Sequence, residues 1–371
     1  MNICIAYPGD LSVPGGGLDR VKQFACGLQR DGHQVTIVTC TMENDRPKAL
    51  EGVEIITANT AKRGIIDQPV RGIQVGLKAK KVARERNAIL QVEHATFGGI
   101  MSVLGESDFV LDMHDLDYPS PQYADLPLSN LAKKVVYKLE RRAVDNARLI
   151  IVVSTPMKEI LTDWGYPEER ISVIPNGFRP EPLNEYLNAT EVDGRVGFIG
   201  TIHPKLNFDT FLEIASRSQV ESLEIIGGGN RASQLRNKIA SSEIDAINMS
   251  GRMNHEDAFS LLASCQVVIY PLKASLHTKM LTSRKIFDYA YLGKAMVLDD
   301  VSESDIWARF KSRDAAVFST PERPEQFADA VCNLIMDPDR RETVSSNAKQ
   351  LANDYIWSER VDELLSIYRQ I

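Results

Sequence analysis

Cysteine is scarce in this chain and scattered. Its five copies, Cys4, Cys26, Cys40, Cys265 and Cys332, form no C-x-x-C pair and no spacing that would hold zinc, so they read as small buried hydrophobes. Long apolar runs are lacking too, since none approaches the ~18 to 20 residues that span a bilayer. The opening MNICIAYPGD has neither the basic stretch nor the apolar core of a signal peptide, which predicts a cytoplasmic protein. There is no basic excess either. The 43 Lys and Arg face 50 Asp and Glu for a net charge of −7. Residues 1–180 hold 22 of each sign, so the deficit lies in the second half. A binder of the phosphate backbone shows the reverse balance, which excludes nucleic acid as the main partner.

What is present is an ordinary globular composition, 43% hydrophobic and 25% charged over 371 residues. That length is more than twice a typical domain of ~150 residues and predicts two domains. Short β-rich runs alternate with helical patterns at 3–7, 35–39, 53–56, 89–92, 109–113, 149–153 and 171–174. The pattern restarts at 196–199, 223–226, 247–249, 267–270, 295–298 and 316–318. Continuous apolar strands separated by helices predict parallel sheets covered on both faces. Thirteen strands are too many for one open sheet, so a boundary is placed in the polar stretch 181–194, giving domains 1–180 and 181–355. Trp357, Val361, Leu364, Leu365 and Tyr368 form one apolar stripe, so 356–371 is expected to be a helix packed back on the first domain.

Ligands of open α/β sheets bind at strand C-termini. Gly15, Gly16 and Gly17 lie between the first strand and a helix starting near Leu18, where backbone amides can approach an anion closely; they equally suit a plain flexible turn. Gly227-Gly228-Gly229-Asn230-Arg231-Ala232 satisfies G-x-G-x-x-A, the best sign here of a nicotinamide oxidoreductase. The next strand ends near Met249 and Ser250 without the ribose-binding acid, which opposes that reading. FVLDMHDLD sets His114, Asp115 and Asp117 just past a buried strand. The D-x-D spacing can hold a divalent metal, but loop capping suits a two-domain architecture better. His114 is a candidate proton donor or sugar-hydroxyl partner, against the plainer role of a hydrogen-bonded strand-end histidine.

The stretch SRKIFDYAYLGKAMV predicts a helix N-capped by Ser283 and ended by Gly293. Asp288 would accept from vicinal ribose hydroxyls, while Lys285 and the helix-start amides would receive a diphosphate. The bland alternative is an exposed Arg284–Asp288 pair worth ~0.3 to 0.5 kcal/mol.

Taken together, several segments resemble the GT-B glycosyltransferases of family 4. ICIAYPGDLSVPGGGLDRVKQFACGLQRDGHQVTIVT is similar to that family's first strand, glycine loop, helix and second strand. ILQVEH, FVLDMHD, ERRAVDNARLIIVVSTPMKEIL and ISVIPNGF follow in the expected order. VGFIGTIHPKLNFDTFLEIA, LEIIGGGN, INMSGRM and SRKIFDYAYLGKAMV resemble the second domain. The resemblance spans nearly the whole chain. It implies an α/β fold of two facing Rossmann-like, doubly wound domains with a deep cleft between them.

The resemblance further implies retaining transfer of a sugar from a nucleotide-diphosphate donor to a glycan or lipid-linked acceptor. Gly15, Gly16 and Gly17 would line the diphosphate and acceptor side, and His114 would touch the donor sugar as the catalytic residue. Gly228, Ser283 and Lys285 would contact the donor, Asp288 its ribose, and the backbone of Arg252 and Met253 its base. Two positions depart from the family: Met280 replaces the first carboxylate of an E-x7-E pair, and Thr201 stands where an arginine is usual. Lys205 is one position off the usual lysine. No metal and no cofactor other than the donor are expected. A nucleotide-sugar 2-epimerase or a non-catalytic binding protein on the same fold is the alternative. Finally, residues 71–86 carry Arg71, Lys78, Lys80, Lys81, Arg84 and Arg86 among apolar residues, opposed by Glu85 alone. Such a stretch is a solvated helix face or a peripheral contact with an anionic membrane.

Overall fold

The computed structural model describes residues 1–12, 16–42, 44–58, 68–120 and 129–371. Seven strands come first: β1 (Asn2–Ala6), β2 (Gln34–Thr39), β3 (Glu54–Thr57), β4 (Ile89–Glu93), β5 (Phe109–Met113), β6 (Ala147–Val152) and β7 (Ile171–Val173). Between them run α1 (Gly16–Arg30), α2 (Gln68–Glu85), α3 (Ala95–Val103), α4 (Ser129–Asn146) and α5 (Thr155–Asp163). Six further strands follow: β8 (Val192–Ile199), β9 (Ser222–Ile226), β10 (Ile247–Gly251), β11 (Cys265–Tyr270), β12 (Ala295–Asp299) and β13 (Val317–Ser319). Their helices are α6 (Phe208–Ala215), α7 (Ala232–Ala240), α8 (His255–Ala263), α9 (Leu276–Lys279), α10 (Lys285–Tyr291) and α11 (Asp305–Ser312). The chain finishes with α12 (Pro324–Met336), α13 (Pro338–Ala352) and α14 (Trp357–Tyr368).

The chain divides into two compact units, Met1–Asn176 with Trp357–Ile371, and Gly177–Ile356. The first holds a seven-stranded sheet in the order β3-β2-β1-β4-β5-β6-β7, the second a six-stranded sheet in the order β10-β9-β8-β11-β12-β13. Neighbouring strands pair in parallel throughout. Both units are therefore Rossmann-like, with the fold class expected from the alternation of strand and helix. Every residue of β5, β11 and β12 is buried, as it must be in a parallel sheet clad on both faces.

Helix α14 closes the first core. Its Trp357 meets Phe24 of α1 edge-on at 5.6 Å, and Val361 packs so tightly on Gly27 that any side chain there would collide. In the second unit polar side chains start several helices, as when Asn254 accepts from the Asp257 amide at 2.8 Å. In each sheet the winding direction reverses once, between β1 and β4 and between β8 and β11. At such a reversal neighbouring loops diverge and leave a crevice at the strands' C-terminal ends. Among the described residues no helix is long and apolar enough to cross a membrane.

Candidate functional site

At the reversal in the first sheet, β1 runs into Tyr7, β4 ends at Glu93 and His94, and the neighbouring β5 runs into His114. Arg20, from the second turn of α1, is 1% exposed. Its Nε donates to both oxygens of Asp112 at 3.1 and 2.8 Å, and its Nη1 reaches the Pro175 carbonyl at 3.3 Å. Among the described residues Glu93 has no such cation. Its Oε1 accepts from Gln91 Nε2 at 2.6 Å, and its Oε2 lies 2.6 Å from His114 Nε2. Two carboxylates cannot both stay charged in dry surroundings when one guanidinium serves them. Burial, with the Asp112 charge behind it, pushes Glu93 up to about 8.

His114 is 8% exposed, and burial holds it below the usual histidine range. The same holds for His94, whose ring centroid lies 4.3 Å from that of His114. His114 Nδ1 is buried and has no hydrogen-bond partner among the described residues. A Cβ on Gly17 would stand 2.7 Å from that nitrogen, so the residue in the first turn of α1 must be glycine if the ring is to sit there. The loop beyond His114 is clamped from α4, where Glu140 accepts from the Asp117 amide at 2.6 Å and the Tyr118 amide at 3.3 Å. Asp117 itself accepts from Thr96 Oγ1 at 2.7 Å, a loop-fixing role. The donor atoms of Glu93, Asp112 and His114 lie within 4.8 Å of one another, a spacing a metal can use. The Arg20 guanidinium and the Glu93–His114 bond already employ those atoms.

The reversal in the second sheet has a different chemistry. Tyr289 pins α10 there: its hydroxyl accepts from the Ile199 amide at 3.1 Å and reaches the Ile269 carbonyl at 3.5 Å, bridging β8 and β11. One turn earlier on the same helix face, Lys285 sets its Nζ 4.5 Å from the Phe198 ring and 4.2 Å from the Tyr270 ring. A Cβ on Gly200, at φ 144°, would meet that Nζ at 2.4 Å. Among the described residues no carboxylate lies within ion-pair distance of Lys285, and burial lowers its pKa from the ordinary lysine value. His203, in the loop after β8, is pushed down to about 2 by burial and by the charges of Lys205 and Lys285. It is a neutral imidazole beside two ammonium groups.

The glycine turn lies next to them. A Cβ on Gly227, at φ 137°, would stand 2.0 Å from the Gly200 carbonyl oxygen, and one on Gly229 would stand 2.1 Å from that of Ile202. These two glycines let the loops after β8 and β9 lie against each other, laced by Ile202 N to Gly228 O at 3.0 Å and Arg231 N to Ile202 O at 3.2 Å. Gly228 faces Arg252, whose Cγ would be 3.2 Å from an added Cβ. Met253 turns its half-buried side chain to the core, leaving backbone for any ligand contact.

The structure thus brings Gly17 to His114, Lys285 to Gly200, and Gly228 to Arg252. Gly15 lies outside the described residues, and Gly16 is the first residue of α1. Ser283 corrects the expectation of an N-cap. The helix opens at Lys285, with Arg284 already at helical dihedrals (φ −57°, ψ −35°) and no side-chain cap, and Ser283 offers only its carbonyl to the Ile286 amide at 3.4 Å. The helix is held by Tyr289 instead, a contact between distant segments. Asp288 is 7% exposed, and its Oδ2 is 3.8 Å from Arg284 Nε, so it is not the solvated member of a surface pair. Met280 is buried at 3% exposure, and Thr201 is exposed. Lys205 gives its carbonyl to the Lys273 amide at 2.8 Å and keeps its side chain half-buried. Sequence reasoning missed Arg20, Glu93, Tyr368 and His203. The first three are charged or polar residues of ordinary appearance, and only His203, beside Lys205 in GTIHPKLNF, carried a readable signal.

Two family profiles match the chain, Glycosyltransferase Family 4 over residues 14–181 and Glycosyl transferases group 1 over residues 193–337. No curated protein matches it in sequence. Among solved structures it is similar to sucrose-phosphate synthase from Thermosynechococcus elongatus, with a TM-score of 0.82 at 15% identity over 100% of this chain and 98% of that one. It is also similar to Anabaena HepE in complex with UDP-glucose, with a TM-score of 0.72 at 18% identity over 99% of both chains. WaaG, a glycosyltransferase involved in lipopolysaccharide biosynthesis, gives 0.72 at 14% identity, again over 99% of both. With one profile on each Rossmann-like unit and GT-B folds matched over full length, the chain belongs to the family 4, group 1 type of GT-B glycosyltransferases.

Proposed function

We propose that this glycosyltransferase takes its sugar from a nucleoside-diphosphate donor held by the second unit and transfers it with retention to a glycan or lipid-linked acceptor. The observation that carries the reading is Lys285, an ammonium with no carboxylate at ion-pair distance among the described residues, at the β8/β11 reversal beside Gly200, His203 and Lys205. A departing diphosphate gains negative charge, and fixed cations and amide dipoles lower the barrier by meeting it. Gly228 and the backbone of Met253 are assigned to the donor's nucleoside side, Asp288 to the ribose hydroxyls, and His114 to the sugar. Ser283 keeps only a backbone role. Anabaena HepE, whose structures hold UDP and UDP-glucose, supports a nucleotide sugar here. In retaining transfer the acceptor attacks from the leaving-group face and gives its proton to the diphosphate, so no carboxylate base is assigned. Neither metal nor cofactor is assigned.

A panel of nucleoside diphosphates and their sugars in a thermal-shift assay tests this. A compound at a hundredfold excess over its Kd stabilises the fold by ~2.7 kcal/mol. At least one is expected to do so, and a panel without any shift would remove the reading.

The first unit is also assigned a peripheral contact with anionic lipid. Residues 68–85 of α2 carry five Lys and Arg against Glu85, and 129–146 of α4 carry five against two acids. Val70, Ile73 and Leu77 on α2, and Leu131 and Val135 on α4, stand exposed among Lys78, Lys81, Lys134 and Lys138. The protein should pellet with phosphatidylglycerol-containing vesicles and stay in the supernatant with phosphatidylcholine alone. Equal behaviour with both would dismiss the contact.

A further inference from the structure

Four buried side chains form one file of hydrogen bonds that starts on the last helix and ends at the reversal in the first sheet. The Tyr368 hydroxyl, on α14, donates to Gln91 Oε1, and Gln91 Nε2 donates to Glu93 Oε1 at 2.6 Å. Glu93 Oε2 lies 2.6 Å from His114 Nε2, and His114 Nδ1 ends the file beside Gly17 with no hydrogen-bond partner among the described residues.

The file has a direction. An amide nitrogen can only donate, so once the hydroxyl of Tyr368 has taken Gln91 Oε1, Oε1 of Glu93 must accept. The Arg20 Nε–H belongs to both oxygens of Asp112, so Glu93 is the member of the carboxylate pair that keeps its proton, and only Oε2 is left to carry it. That O–H donates to His114 Nε2, and the neutral ring then bears its single hydrogen on the other nitrogen.

We propose that Tyr368, Gln91 and Glu93 are positioning residues that hold His114 as the Nδ1–H tautomer, so that it offers a hydrogen-bond donor to a ligand oxygen beside Gly17. This deepens the reading of His114 as the residue that meets the sugar, and rests on it for the nature of that oxygen. The other titratable or charged groups facing the pair are Tyr7, Arg20, His94, Asp112, Asp115 and Asp117. When pH rises through about 8 and Glu93 ionises, His114 Nε2–H must donate to the carboxylate, and Nδ1 turns from donor to acceptor.

The test is nitrogen NMR of the full chain labelled in its histidine rings, with the His114 signals assigned through His114→Ala. It needs no ligand, so failure of the donor-binding proposal would leave its result intact. At neutral pH Nδ1 should resonate as a protonated nitrogen and Nε2 as one with a lone pair, with the pattern reversing as pH passes about 8. Glu93→Gln should keep the neutral-pH pattern and abolish the reversal, because Gln91 Nε2 claims the new side chain's oxygen and leaves its amide nitrogen, which can only donate, facing His114 Nε2. Tyr368→Phe, which frees the Gln91 amide to turn, should give a mixture. A wild-type Nε2–H tautomer at neutral pH would overturn the proposal by itself, whether or not either variant folds. So would a pH-dependent reversal persisting in Glu93→Gln.

Discussion

The two units share a winding and differ in what they place at the reversal. In the first, a guanidinium, two carboxylates and a histidine are buried in two hydrogen-bonded pairs, Arg20 with Asp112 and His114 with Glu93, and His114 Nδ1 and Arg20 Nη2 have no hydrogen-bond partner among the described residues. In the second, the Lys285 ammonium lies among two aromatic rings beside Gly200, with no carboxylate at ion-pair distance among the described residues. The first arrangement pairs its cation with a carboxylate, and the second presents a cation toward the glycine turns. Topology therefore locates both sites without assigning either its chemistry, which comes from a few side chains at the strand ends.

Substitutions can break this contrast, and the largest effect is expected at Gly227. Alanine there must adopt φ 137° and meet the Gly200 carbonyl, so Gly227→Ala should cost about 3 to 5 kcal/mol in urea unfolding. A loss below about 1 kcal/mol would show that the two loops relax apart. Asp288→Ala should weaken nucleotide binding by roughly 1 to 3 kcal/mol, the scale of a lost charged hydrogen-bond partner. Unchanged affinity in a folded variant would take Asp288 out of the site.

A matched pair of acids compares the units through pH. Burial pushes Glu140 in the first unit and Asp299 in the second up to about 8. Above neutrality the native state keeps protons that an unfolded carboxylate, with a pKa near ~4, has released. Stability therefore falls as pH rises toward 8, by up to ~1.4 kcal/mol per pH unit for each group. Glu140→Gln and Asp299→Asn should each flatten that decline, measured as unfolding free energy at pH 7 and 8. An unchanged slope in both would show that the acids are ionised in the native state. The smallest effect belongs to Gly17→Ala. Its methyl meets the His114 ring, which can shift, so about 1 kcal/mol is expected. A loss as large as that of Gly227→Ala would erase the distinction between the two turns.

The strands were legible because both faces of each sheet are buried, which turns a strand into a short continuous apolar run. The run 109–113 coincides with β5. Strand starts were less so, since polar or small residues such as Ser222 join a strand only when a neighbour pairs with them. Lys285 and Asp288 stood out through their helix, yet the start of that helix depends on Tyr289 reaching Ile199 and Ile269, which no local pattern contains. A glycine that admits a ligand and one that admits another loop look alike in sequence, and Gly227 and Gly229 are of the second kind. The file behind His114 was hidden for a different reason. Arg20 and Asp112 are 92 residues apart, and Tyr368 and Gln91 are 277 apart, so only the fold brings them together.

The most direct test of the account is calorimetric titration of the wild-type chain, Lys285→Ala and His114→Ala with uridine, guanosine, adenosine, cytidine and thymidine diphosphates. We expect at least one to bind the wild type, to lose about tenfold or more in affinity with Lys285→Ala, and to keep its affinity within about twofold with His114→Ala. Equal affinity for the wild type and a folded Lys285→Ala, or no binding by the wild type at all, would contradict it.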